Sequence, residues 1–128
     1  MRFARFAIII VGILLPYAAR LLPGSGGNVW SYVQDGVFGI LLLQAFNVIA
    51  WGSIWACSVL YRHPAALLGP SILGFGYVGW GHYVLDFSAD AQAAVGIAVI
   101  PLYALPYIAA GAVGGYVFDR WWRCRNAA

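Results

Sequence analysis

Lysine and glutamate are absent from this sequence, and charged residues of any kind make up only 9% of it. Soluble globular domains carry roughly 25%. Seven arginines and four aspartates cannot give 128 residues a water-facing skin when 63% of them are hydrophobic. Hydrocarbon is the solvent such a surface suits. The net charge of +3 is therefore no sign of a nucleic-acid partner; the positions of the arginines account for it, as argued below. Two cysteines, Cys57 and Cys124, exclude a disulfide framework. Two histidines exclude much else. His63 and His82 lie 19 residues apart on one apolar run, about 28 Å along a helix, too far to grip one haem. A zinc site needs three or four ligands at organised spacing, which these residues do not supply. No strand–glycine-loop–helix unit for phosphate occurs. Ser71 and Ser88 fall on opposite sides of the bilayer proposed below, so no serine nucleophile gathers its partners. No metal, cofactor or catalytic residue is expected.

What the sequence does have is long apolar runs. A membrane-crossing helix needs about 20 mostly apolar residues, and four such runs are present: Phe3–Leu22, Tyr32–Tyr61, Ala65–Leu85 and Ala91–Phe118. The breaks carry turn chemistry. "PGSGGN" (Pro23–Asn28) is a flexible loop, and "RHP" (Arg62–Pro64) places proline at a helix start, where its missing N–H costs nothing. "DFSAD" (Asp86–Asp90) offers Ser88 as an N-cap with Asp90 in the following first turn. Short loops imply antiparallel neighbours. The expectation is one all-α membrane domain over residues 1–128: a four-helix antiparallel bundle, with residues 119–128 as a tail. The first run resembles a signal peptide at its start, but Pro16 and Tyr17 occupy positions that cleavage requires to be small, so it is read as an uncleaved span.

Arginine placement sets the direction. With the N-terminus inside, Arg2, Arg5, Arg62, Arg120, Arg123 and Arg125 are cytoplasmic and Arg20 alone is outside, a strong positive-inside bias. Both termini are then cytoplasmic, where both cysteines stay reduced. Arg120, Trp121, Trp122, Arg123 and Arg125 form a cytoplasmic anchor at headgroup depth. Pro101 and Pro106 interrupt the fourth run. Each removes a backbone hydrogen bond, so the helix is expected to kink there and to turn its kinked side toward protein, where the freed carbonyls find partners.

Apolar helices gain nothing from the hydrophobic effect by associating in lipid; close backbone approach and interhelical hydrogen bonds replace it. Gly111 and Gly115 form a GxxxG pair, overlapped by Ala110 and Gly114 at the same spacing, and Gly79 lies among the glycines of the third run. These faces serve either the bundle's own packing or contact with another copy or another membrane protein. A polar stripe on the second run, Gln44, Asn47 and Trp51 continuing to Trp55 and Ser58, is expected to face the interior. It would bond across helices, with the carbonyls freed by Pro101 and Pro106 as one destination, or else line a polar path.

His82 and Asp86 stand four apart in "GHYVLD" and on a helix would share a face. Arg20 ends the first run and Asp35 opens the second on the same outer side, so these four are grouped as one candidate polar cluster. Ionisable residues in membranes are functional candidates by default; a clamp of helix ends is the alternative. No acid lies at mid-depth, which counts against carboxylate-driven transport. The segment "SADAQAAVGIAVIPLYALP" (Ser88–Pro106) resembles a stretch of small bacterial inner-membrane proteins, a likeness that implies that location and no activity. The partners expected are the lipid bilayer and another membrane protein or a second copy, not nucleic acid. The expected role is non-enzymatic, with a small oligomeric channel or transporter second and an enzyme using the His82/Asp86 cluster third.

Overall fold

The structure, a computed structural model, describes residues 1–86 and 93–126. It is all-α. Helices α1 (Arg2–Leu21), α2 (Trp30–Val33), α3 (Gly36–Cys57), α4 (Leu68–Val84) and α5 (Ala93–Asn126) follow in order, with a 3-10 turn, Pro64–Leu67, leading into α4. Ser88 and Asp90, expected to start the last helix, lie outside the described residues.

Three helices, α1, α3 and α5, are long and apolar enough to cross a membrane, and they pack together. In their most apolar stretches only 22–28% of residues are buried inside the bundle. The remainder, including Phe6, Phe38, Leu41 and Val113, points outward. That inverted surface belongs to a protein solvated by lipid, and the chain is a multi-pass membrane protein. Helix α4 has 17 residues; with the 3-10 turn ahead of it the helical stretch covers 64–84.

Several boundaries differ from the sequence reading. The run Tyr32–Tyr61 is not one helix. Gly36 takes φ +63, a conformation that costs glycine little and other residues more, and separates the short α2 from α3. At the other end Ser58, Val59 and Leu60 donate to Trp55, Ala56 and Cys57 through i→i+3 bonds, which tighten and close the helix after Cys57. The tail 119–128 is not a separate segment either, because α5 stays helical to Asn126. It also runs unbroken through Pro101 and Pro106. Pro101 is buried but Pro106 is exposed, so only the first proline turns toward protein.

Helix α5 packs most extensively on α4, and α1 packs on both α3 and α4. The α4–α5 seam is built from glycine. A Cβ at Gly111 would overlap the backbone of Gly69 and Pro70, and one at Gly115 would overlap the Ala66 carbonyl. Gly74 and Gly81 admit the side chains of Ile108 and Ile100 in the same way. Gly79 faces Leu15 of α1 instead. The inward GxxxG pair is thus consumed by the fold.

The two ends of the bundle are called outer and inner after the arginine count. At the inner end one short segment, Ser58–His63, touches both termini. Arg5 donates from Nε to Ser58 Oγ at 2.8 Å. Asp119 Oδ1 accepts the backbone N–H groups of His63 at 2.7 Å and Arg62 at 3.1 Å. Both ends of the chain therefore lie at the same end of the bundle.

Candidate functional site

Among the described residues, four polar side chains besides Asp119 are buried to 3% exposure or less: Arg20, Asn47, Ser58 and His82. Each is placed by a local feature of its helix.

The outer group forms where α1 ends, α2 lies across the bundle and α4 closes. Tyr32 of α2 and His82 of α4 join through the Tyr32 hydroxyl and His82 Nδ1 at 2.6 Å. The Arg20 guanidinium lies over the Tyr32 ring, 4.9 Å from its centre, and Tyr17 meets the same ring edge-on at 6.3 Å. Gly27 makes room for Arg20, since a Cβ there would come within 2.6 Å of its Nη1. The loop that holds Gly27 is tied down at two points: Gly26 N–H donates to Tyr83 O at 2.8 Å, and the Tyr83 hydroxyl donates to Pro23 O at 3.1 Å. His82 Nε2 is buried with no hydrogen-bond partner among the described residues.

Of the four residues grouped from the sequence, Arg20 and His82 come together, through Tyr32. Tyr32, which the sequence marks only as the start of the second apolar run, is buried and joins the two. Asp35 stands apart: it is exposed at the start of α3 and lines a different cavity. Asp86 lies beyond the end of α4, which stops at Val84, so it does not continue the helical face of His82.

The polar stripe of α3 has one destination, α1. Asn47 Nδ2 donates to Gly12 O at 2.6 Å, and Gln44 Nε2 donates to Ile13 O at 3.0 Å. Trp51 packs on Gly12, where a Cβ would overlap it. Trp55 and Ser58 both meet Arg5. The carbonyls freed by Pro101 and Pro106, expected as partners, are not the ones Gln44 and Asn47 use. Pro16 explains the difference. It sits inside α1 and has no N–H to give to the carbonyl four residues earlier, which is Gly12 O. Asn47 supplies the missing donor. The bond to Gly12 also removes Asn47 from the lining of any solute path.

Asn47→Leu is expected to cost about 1 kcal/mol, the scale of interhelical hydrogen bonds in membranes. In a Pro16→Ala background, where the backbone N–H again satisfies Gly12 O, the same change should cost markedly less. Thermal melts of the four proteins in one detergent would show this coupling; equal costs in both backgrounds would refute the pairing.

At the inner end Asp119 is fully buried beside half-exposed Arg123, whose Nε lies 3.2 Å from Oδ2. The His63 ring lies tilted against Trp122, ring centres 4.7 Å apart, and the Tyr61 hydroxyl donates to Ala112 O at 2.8 Å. Burial pushes the Tyr61 phenol up to about 12, further above the neutral range in which an ordinary phenol already keeps its proton. Trp122 is exposed like Trp121 but touches His63 with one side of its ring, and Arg125 lies over Trp121 at 5.3 Å. Arg120 is exposed.

Among the described residues no group of three or more metal-ligating side chains occurs. Compared with protein-family models, with curated proteins and with solved structures, the chain matches none. Fold and site together define a class only: a multi-pass helical membrane protein whose buried polar groups join helix to helix.

Proposed function

We propose that the protein is a four-crossing bundle of the bacterial inner membrane, with both termini cytoplasmic, acting without catalysis through helix contact with a membrane partner or a second copy. An accessory, stabilising or immunity-type role fits that action. The observation that carries the reading is the second register of small residues on α5. Gly111 and Gly115 face inward, but Ala110 and Gly114 are exposed, and nothing lies within 4 Å of where a Gly114 Cβ would be. Nearby on the outward surface Tyr107 stacks on Tyr77 of α4 at 4.6 Å. A helix surface with a small-residue notch lets a second backbone approach closely, which is how helices associate in lipid.

The distribution of polar groups supports the same reading. Gln44, Asn47 and Ser58 all bond to α1, which favours contact over conduction. Gly114→Leu is expected to abolish crosslinking to a neighbour in native membranes while shifting the melting temperature by no more than a few degrees. A Gly114→Cys protein that yields only monomer in crosslinking, or a leucine variant that retains its neighbour, would contradict the proposal.

A further inference from the structure

A cavity of about 250 Å³ opens at the outer end between α2, α3 and α5, and it is amphipathic along its length. Its mouth carries Gln34 and Asp35; deeper, Leu42, Phe46 and Ile97 line it. Phe46 lies 11 residues beyond Asp35 in α3, about 16 Å deeper. The cavity therefore extends from headgroup level into the hydrocarbon region.

Two further features give the mouth its character. Among the described residues no hydrogen bond or ion pair engages the Asp35 carboxylate. That carboxylate also hangs over the cavity. A Cβ at Gly39, one turn into α3, would stand 3.0 Å from the Asp35 Cβ and 3.8 Å from its Oδ2, so the missing side chain there gives the Asp35 side chain its place at the mouth. Asp35 is the charged side chain that lines the cavity; the Arg20 guanidinium is held over the Tyr32 ring, 4.9 Å from its centre.

We propose that this cavity binds a small organic cation with an apolar tail, an alkylammonium, with Asp35 holding the ammonium and Leu42, Phe46 and Ile97 the tail. An unpaired carboxylate at the edge of a low-dielectric space attracts a cation more strongly than it would in water. A metal ion is a poorer match, because one carboxylate provides too few of the oxygen ligands that calcium or magnesium takes. A wholly polar cation would leave the apolar floor unused. This site is separate from the α4–α5 face, and its occupancy does not depend on the association proposed there.

The test is calorimetric titration of the full chain in non-ionic detergent with hexyltrimethylammonium. Saturable binding at one site per chain is expected, weakened about fourfold for each methylene removed from the tail. Asp35→Asn should weaken binding at least tenfold. Gly39→Val, which fills the space and keeps the charge, should remove binding while the protein still melts cooperatively. Gly114→Leu should bind as the parent does. Hexanol or hexyl sulfate binding as tightly as the cation, an Asp35→Asn protein of unchanged affinity, or heats that never saturate would each overturn the proposal.

Discussion

Gly111→Leu is expected to destabilise the bundle severely. Gly111 is the point of closest approach between α4 and α5, where even a Cβ would collide with the backbone of Gly69 and Pro70. A flexible side chain can move out of the way of an added methyl group, but backbone in a packed helix cannot. The cost should therefore exceed the 1–3 kcal/mol typical of overpacked cores, reaching about 3 kcal/mol or more. Gly115→Leu should act alike, because its Cβ would meet the Ala66 carbonyl. Leucine at Gly114, one helical position away and open to the outside, should leave stability nearly unchanged. Circular dichroism melts of the three variants in one detergent measure the contrast. Equal melting temperatures for Gly111→Leu and Gly114→Leu would show that the α4–α5 seam is not where it is described.

The second large effect is expected at Asp119. Its Oδ1 accepts two backbone N–H groups, those of Arg62 and His63, and the residue is fully buried. Alanine there strands both donors. Two fully buried groups left unsatisfied would cost about 2–6 kcal/mol; these two are part-buried, so Asp119→Ala should lose about 2 kcal/mol, the low end of that range, and free the α3–α4 turn from α5. Asparagine retains one acceptor oxygen and should lose less. Arg123→Gln removes only a half-exposed ion pair and should cost no more than about 1 kcal/mol. Melting measures stability, and proteolysis at Arg62 reports on the turn. An Asp119→Ala protein as stable and as resistant as Arg123→Gln would refute the role assigned to the carboxylate.

Individual residues show how far the sequence reading reaches. The apolar runs and the loops at Pro23–Asn28 and Arg62–Pro64 follow from hydropathy and turn chemistry; α3 and α4 fall within their runs, α1 and α2 begin one or two residues before theirs, and α5 continues past Phe118 to Asn126. The break at Gly36 does not, because nothing in an apolar run says which of its glycines will take a positive φ. Which face of α3 is polar was legible from spacing; which helix that face meets was not. Periodicity assigns a residue to a face but names no partner, and prolines in two helices offered freed carbonyls. Pro16 held the signal for Asn47, since a proline inside a crossing helix orphans the carbonyl four residues before it and an amide at matching depth can satisfy it. Asp119 gave no such signal: an acid among arginines reads as surface, and only the turn folding back onto α5 buries it. Tyr32 was similarly hidden, because an aromatic at headgroup depth is ordinary in a membrane protein.

The central claim is that the chain crosses the bilayer an even number of times, with α4 as one of the crossings and both ends inside. Cys124 is exposed near the end of α5 and reports on it directly. With Cys57 replaced by serine, spheroplasts are treated with a membrane-impermeant maleimide before and after permeabilisation, beside a Ser25→Cys protein that marks the outer loop. The account predicts that Cys124 is labelled only after permeabilisation and that a cysteine at position 25 is labelled from the start. Labelling of Cys124 in intact spheroplasts would contradict the account: with position 25 then protected the orientation would be reversed, and with both positions labelled α4 would not be a crossing and the two ends would not share one side.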